Sequence, residues 1–446
     1  MENKKRSSFS GKLGFVLAAA GSAVGLGNIW RFPYLAAEYG GGIFLLTYLL
    51  LAVTFGFTLL VAEISLGRKT GLSVVGAFSK LNKKFKFLGF FEALVPIIIL
   101  PYYCVIGGWV TKYMVTYISG QGSGAAADGF FGAFVGNATE PLLWFAVYLG
   151  LTALVVLLGV EKGVEKVSKI MMPVLIVLSL FIAIYAMMQP NAMEGVKYYL
   201  LPDFSKFSYK TVLAAMGQLF YSMSLAMGIM ITYGSYMKKD VNIESSVRQI
   251  EIFDTGIAFL AGLMIIPSVF VFSGAEGVGA GPSLMFVTLP KVFESMFGGQ
   301  IIGVLFFVLV LFAALTSSIS LMETIVSIFM DMFKTSRVKT CIAVIILSVI
   351  LGIPSSLGNG VWGHITIFKM AFLDFFDFIS NSIMMPIAAF ITCIFIGYVV
   401  KPKTIIDEVE LNGKFKAEKL FILTIKYIAP VCILLILLTA VFNIKL

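Results

Sequence analysis

Eleven stretches of this chain are each long and apolar enough to cross a bilayer, and no other feature restricts the possible folds so strongly. A spanning helix takes about 20 apolar residues, and lipid accepts only helices or closed barrels because it offers no water to an exposed backbone. The stretches lie at 12–37, 42–66, 87–116, 142–159, 165–188, 208–236, 246–273, 300–331, 338–353, 366–399 and 420–443. They lack the apolar/polar alternation of barrel strands. The sequence therefore predicts an all-α polytopic membrane protein, a single transmembrane domain over 1–446 that uses the lipid bilayer as its solvent. Composition agrees, since 59% of residues are hydrophobic and 13% charged, where a soluble domain has about a quarter charged. An ordinary soluble enzyme and a disordered chain are both excluded.

The net charge of +9 is a topology signal. Grouping the N-terminus with alternate loops collects 25 of the 33 basic residues on one side, among them Lys4, Lys5, Arg6, Arg68, Lys84, Lys166, Lys239, Arg337 and Lys416. By the positive-inside rule the N-terminus is cytoplasmic and, the count being odd, the C-terminus external. The basic residues fall between apolar runs rather than on one patch, so no nucleic acid is expected as a partner. Cys104, Cys341, Cys393 and Cys432 lie in apolar segments without CxxC spacing, which suits neither a disulfide framework nor zinc. The single histidine, His364, has no ligand cluster around it, and no cleavable signal precedes the first span. Residues 118–141 and 275–298 read as external loops, the second folding back as a lid, and 401–419 as a charged cytoplasmic segment.

Helix-breaking residues interrupt two spans. The run Gly21-Ser22-Ala23-Val24-Gly25-Leu26-Gly27-Asn28-Ile29-Trp30-Arg31-Phe32-Pro33 sets three glycines, an amide and a guanidinium inside a membrane helix, which predicts unwinding there. Freed carbonyls at that depth are tolerated only where they line a cavity or bind something, and they suit Na⁺ or K⁺. Close packing through small residues is the alternative, weakened by Asn28 and Arg31. A second break runs from Gln218 to Gly228 through Tyr221, Ser222, Ser224 and Met227. Breaks five spans apart point to paired five-helix repeats, 12–188 and 208–399, inverted because five is odd, with 420–443 as an additional C-terminal span. Half-helix N-termini favour an anion and freed carbonyls a cation, so a zwitterion together with sodium meets both demands. Ala313-Ala314-Leu315-Thr316-Ser317-Ser318, midway along the eighth span, offers oxygens for a hard cation or bonds back to its own helix. Asp254 is an acid near membrane depth, either a structural acceptor or functional.

These motifs resemble the neurotransmitter:sodium symporter family, bacterial branch, over about residues 6–400, and the run from Gly21 to Pro33 is highly specific to it. The resemblance implies a LeuT-type fold, with helices 1 and 6 broken, and two sodium sites. The first would use the Ala23 carbonyl, Asn28, Ser222 and Asp254, with the substrate carboxylate. The second would use carbonyls of Gly21, Val24 and Ala313 with the hydroxyls of Thr316 and Ser317. The amino-acid carboxylate would meet the amides around Leu26 and Gly27 and the Tyr103 hydroxyl; the ammonium would meet carbonyls at Ala23, Tyr221 and Ser222. Ser22, Gly25, Ile99, Tyr103, Tyr221, Ser224, Met227, Ser317 and Leu321 would line the side-chain pocket. An outer gate would pair Arg31 with Asp377 above Tyr221, near Gln218, and an inner gate Arg6 with Asp331, assisted by Phe9, Ser235 and Tyr236. Four departures stand out: eleven spans where many members have twelve, Phe9 for an inner-gate Trp, Ser222 where Thr is frequent, and Met227 where Phe is common. Family dimer contacts through the last helices therefore do not carry over. Gly163 and Pro173 also resemble a family pattern for cytoplasmic unwinding of the fifth span.

The function this implies is Na⁺-driven symport of a neutral L-amino acid, large and hydrophobic or aromatic (tyrosine, tryptophan, leucine), by alternating access across a bacterial cytoplasmic membrane, with no chloride requirement. An amino-acid-binding membrane sensor without transport is the alternative. Paired helix breaks argue against a channel, and the absence of a GxxxxGK[ST] loop excludes an ATP-driven pump within the chain. No catalytic residues are expected.

Overall fold

The computed structural model describes residues 7–273 and 281–441. Among them, nine helices have the length and hydropathy to cross a membrane, or ten when one bent pair is taken as a single span. The pair is α1a (Lys12–Ala23) and α1b (Gly27–Glu38), bent by 53°. The others are α2 (Gly42–Thr70), α3 (Lys83–Ile118), α4 (Glu140–Leu157) and α5 (Val160–Met187). The stretch at 208–236 is present as α6a (Tyr209–Ser222) and α6b (Ile229–Tyr236), each too short to span alone. Then follow α7 (Ile243–Phe272), α8 (Gly299–Phe333), α9 (Arg337–Leu357), α10 (Phe372–Val399) and α11 (Glu418–Leu438).

Several boundaries differ from the sequence reading, for local reasons. The span placed at 366–399 starts only at Phe372, because Phe368 and Lys369 stand at φ 50° and 65° and close a small turn bridging Ile367 to Met370. Conversely, α5 begins five residues before its expected start: Gly159 at φ 91° ends the preceding turn, and Val160–Glu165 winds as a π turn. Gly163 and Pro173 thus lie in a helix that is wound throughout. The stretch 118–141 is not plain loop but folds into Gly122–Ala126 and Phe130–Gly136. The described part of 275–298 packs back onto the bundle through Leu284–Thr288 and Leu289–Ser295; its Phe286 is buried among Trp30, Trp109, Tyr113 and Phe131. Three connecting helices go beyond the sequence reading: Val74–Leu81, Ala192–Leu200 and Lys403–Val409, the last within the charged segment 401–419. Ala192, Gly195, Val196 and Tyr199 form the buried stripe of the second, at the helical spacing that marks an amphipathic helix.

Burial separates inner from outer helices. Within the apolar windows 83% of α3, 72% of α8, 67% of α2 and 61% of α7 is covered by protein, against 33% of α5 and 39% each of α4, α9 and α11. The inner helices therefore face protein on most of their circumference and can carry polar groups, whereas the outer ones present Leu, Ile and Val to lipid. Both broken spans run through the inner set: α1a lies against α5, α7 and α8, and α6b against α2 and α8.

Candidate functional site

The two breaks face each other. In the first, Val24 turns extended (φ −74°, ψ 105°) and helix resumes at Gly27. Asn28 Oδ1 accepts the Gly25 N–H at 3.0 Å, supplying an acceptor that the lost helical turn no longer provides. In the second, Ser224, Ala226 and Gly228 stand at φ 53°, 56° and 70°. Two of these are non-glycine residues in the left-handed region, a strain typical of functional sites. Side chains from other spans satisfy the freed carbonyls. Ser22 O accepts from Ser224 Oγ at 3.0 Å and from Ser317 Oγ at 3.1 Å, and Gly27 O accepts from Gln218 Nε2 at 2.9 Å.

Between the breaks lies a small cavity. All thirteen residues expected around a substrate line it, together with Ile229, the first residue of α6b. Its lining is mixed. The Leu26 amide, beside Gly25 and Gly27, donates to the Tyr103 hydroxyl at 3.4 Å. Ile99, Met227, Ile229 and Leu321 add apolar surface. Glycine is required twice here: a Cβ on Gly25 would stand 2.6 Å from Ser317 Oγ, and one on Gly27 2.5 Å from the Tyr221 ring.

Two groups of oxygens flank the cavity. On one side Asp254 is fully buried and its Oδ1 accepts from Asn28 Nδ2 at 2.8 Å and Ser222 Oγ at 2.7 Å. Its Oδ2 accepts from the Tyr48 hydroxyl at 3.1 Å. Ala23 borders the cavity beside Ser222. On the other side Ser317 Oγ lies 3.5 Å from Gly21 O and 3.3 Å from Val24 O. Thr316 Oγ1 is 3.1 Å from Ala313 O, and Gly21 packs on Thr316, where a Cβ would come to 3.2 Å. Both groups are rich in oxygens, the donor set of a hard cation; in the first the Asn28 amide nitrogen faces Asp254 while its oxygen accepts from Gly25, and broken-helix carbonyls contribute to the second.

The gates are met in part. Arg31 stacks over the Tyr221 ring, its Cζ 5.4 Å from the centroid, and forms no ion pair with Asp377. That carboxylate accepts instead from Tyr102 at 3.1 Å and Asn381 at 2.6 Å, so the expected outer pair is not closed. Of the expected inner pair, Arg6 lies outside the described residues, and Asp331 accepts the Ser73 N–H at 2.9 Å. Phe9 is 1% exposed and packs edge-on against Phe15, Tyr233 and Tyr236, while its N–H donates to Tyr236 O at 3.1 Å. Ser235 donates to Thr232 O on its own helix.

Four contributors escaped the sequence reading: Tyr48, Ile229, Glu63 and the Glu323–Arg337 pair. Glu63 is 2% exposed and accepts the Ala226 N–H of the strained break at 2.7 Å. Tyr236 donates to Glu323, which is paired with Arg337. An acid within an apolar run was the available signal for Glu63 and Glu323, as it was for Asp254.

Against known proteins, residues 6–123 and 134–446 match the profile of the sodium:neurotransmitter symporter family. An uncharacterized sodium-dependent transporter of Bacillus subtilis, YhdH, is 35% identical over 99% of each chain. The sodium- and chloride-dependent taurine transporter of Rattus norvegicus is 25% identical over 91% of this chain and 73% of its own. Among solved structures, MhsT in complex with L-phenylalanine superposes with a TM-score of 0.89 at 40% identity, covering 98% of this chain and 100% of that one.

Proposed function

Because this chain belongs to the sodium:neurotransmitter symporter family, it is a sodium-coupled multi-pass membrane transporter with a LeuT-type fold and not an enzyme, and we propose that its cargo is a neutral L-amino acid with a large hydrophobic or aromatic side chain. The observation that carries this reading is the mixed lining of the cavity. The Leu26 amide and Tyr103 hydroxyl suit the carboxylate, and Ile99, Met227, Ile229 and Leu321 suit an apolar side chain. The phenylalanine in the MhsT structure supports the same substrate class.

Na⁺ is the co-transported ion in this reading and would occupy both oxygen groups. Ala23, Asn28, Ser222 and Asp254 hold the first ion; Gly21, Val24, Ala313, Thr316 and Ser317 hold the second. Occupying them replaces the hydroxyl-to-carbonyl bonds that now close the α1 break, so the ions and the substrate close the same gap between α1, α6 and α8. Shared closure couples their binding, because each ligand lowers the ordering cost of the next. The repeats 12–188 and 208–399 would then rock about this site, with the N-terminus cytoplasmic and the C-terminus external in the inner membrane. Asp254 supplies the fixed negative charge that dispenses with chloride.

Uptake into proteoliposomes of each of the twenty amino acids, with and without an inward Na⁺ gradient, tests the proposal. Saturable accumulation of aromatic and large aliphatic amino acids only in the presence of the gradient is expected. Binding without accumulation would favour a sensor, and preferential uptake of glycine or charged amino acids would refute the substrate class.

A further inference from the structure

The last span carries a lysine, and an ammonium at that depth calls for a counter-charge. α11 (Glu418–Leu438) is roughly 30 Å long, about the thickness of the hydrocarbon layer, and Lys426 stands about 12 Å along it. Its Nζ lies over the ring of Tyr398 on α10, 5.5 Å from the centroid, and over that of its neighbour Tyr427, at 6.0 Å. The Tyr398 hydroxyl donates to the Lys426 carbonyl at 2.7 Å, which joins the two helices at this level. Both wind as π turns here, Phe395–Val399 and Thr424–Ile428, a departure from α geometry that recurs at functional sites. Among the described residues no carboxylate pairs with Lys426.

Lys426 lines a groove of about 550 Å³ between the end of α10, the segment that follows it and the first turns of α11. Three bases, Lys401, Lys403 and Lys426, and three acids, Asp407, Glu410 and Glu418, line this groove together. Lys403, Asp407 and Glu410 recur at the spacing of one helix face along Lys403–Val409 and its C-terminal cap, and Glu418, Ile422 and Lys426 do so along α11. Two helices thus turn charged rows toward one space, with Ile406 and Ile422 between them. None of the six forms an ion pair among the described residues; Glu410 accepts only the Phe415 N–H, at 3.3 Å. Beyond Lys426, α11 continues with exposed Val431, Leu434, Leu435 and Leu438, an apolar face for lipid. Tyr398 and Tyr427 are each about half exposed, as tyrosines are where hydrocarbon meets headgroups.

We propose that this groove binds the headgroup of a zwitterionic phospholipid with a primary amine, of the phosphatidylethanolamine type. Its phosphate meets Lys401, Lys403 and Lys426, its ammonium meets Asp407, Glu410 and Glu418, and its acyl chains lie along the exposed face of α11. The balance of three bases and three acids selects the class. An anionic headgroup would leave the acids uncompensated, and a choline headgroup has no N–H to donate to them. The phosphate gives Lys426 the counter-charge that its depth demands, and the bound lipid bridges α10 and α11 at the level where Tyr398 already joins them.

The test needs no transport substrate. The full-length protein in detergent is titrated, under native mass spectrometry, with phosphatidylethanolamine, phosphatidylcholine and phosphatidylglycerol of identical acyl chains. Wild type should retain one phosphatidylethanolamine about fivefold or more above either of the others. Lys426→Gln should abolish that preference, and the triple variant Asp407→Asn, Glu410→Gln, Glu418→Gln should turn it toward phosphatidylglycerol. Where Lys426→Gln does not fold, the exposed pair Lys401→Gln, Lys403→Gln tests the phosphate side in its place. A second readout is thermal unfolding: phosphatidylethanolamine should raise the midpoint of wild type and leave that of the lysine variants unmoved. Equal retention of the three lipids by wild type, or an undiminished phosphatidylethanolamine preference in the variants, overturns the proposal. Soluble phosphoethanolamine that displaces the lipid at equal concentration would mark a site for a free solute and overturn it as well.

Discussion

Replacing Asp254 by Ser tests the electrostatics of the first oxygen group most directly. Three donors converge on this carboxylate: Ser222 Oγ at 2.7 Å, Asn28 Nδ2 at 2.8 Å and the Tyr48 hydroxyl at 3.1 Å. If it also faces a bound Na⁺, the substitution removes a unit charge at roughly 4 Å, worth about 4 kcal/mol at an effective dielectric near 20. That corresponds to roughly a thousandfold loss of Na⁺ affinity at about 1.4 kcal/mol per decade. The shorter serine leaves the three donors around vacated space, and converging donors form an anion site. Chloride entering it restores negative charge without restoring the direct ligand, so recovery should be partial, with uptake in chloride about tenfold or more above uptake in gluconate. The assay is Na⁺-driven amino-acid uptake into proteoliposomes in the two salts. Wild type should be indifferent to the anion, Asp254→Ser should depend on chloride, and adding Tyr48→Phe should weaken that dependence by deleting one donor. A chloride-requiring wild type, or an Asp254→Ser protein equally active in both salts, would refute the reasoning.

Other expectations follow from the same geometry. Asn28→Ala and Thr316→Ala each remove an oxygen from a different group, and each should raise the Na⁺ concentration for half-maximal binding about tenfold, ~1.4 kcal/mol; Na⁺ titrations unchanged in both would contradict the two-site reading. Met227→Phe replaces a flexible thioether with a rigid ring in the lining of the cavity and should shift preference toward smaller aliphatic amino acids by about 1–3 kcal/mol, read by competition against leucine, tyrosine and tryptophan. Gly25→Ala puts a methyl 2.6 Å from Ser317 Oγ and 3.0 Å from the Tyr103 hydroxyl, so aromatic substrates should lose about 1–3 kcal/mol of binding; unaltered affinity would mean that the carboxylate end lies elsewhere. Asp377→Asn should slow transport more than it weakens equilibrium binding, since Arg31 reaches the aromatic lid without pairing to that carboxylate; equal losses in flux and binding would point to misfolding.

What could be read from the chain alone follows from how lipid penalises polar groups. Each break is conspicuous because Gly, Asn, Arg or consecutive hydroxyls are costly in a spanning helix unless they are used, so Gly21 to Asn28, Ser222 to Gly228 and Thr316 to Ser318 stood out against apolar surroundings. The connecting helices did not, because Val74–Leu81 and Lys403–Val409 are short and get their stability from docking rather than propensity. Tyr48 stayed hidden for another reason: a tyrosine in an apolar run is unremarkable, and only folding brings its hydroxyl to Asp254 across 206 residues of sequence.

The same reasoning explains why the acids divide as they do. An intramembrane carboxylate marks itself in sequence, but its role depends on the donors that reach it. Asp254 receives three side-chain donors and borders the cavity through its partner Ser222. Glu323 is paired with Arg337 and takes the Tyr236 hydroxyl. Glu63 and Glu92 receive one donor each and retain one bare oxygen each. Four buried acids with the same sequence signature thus occupy three electrostatic situations: one held by three side-chain donors, one neutralised by a base, and two that each keep an oxygen without a donor among the described residues.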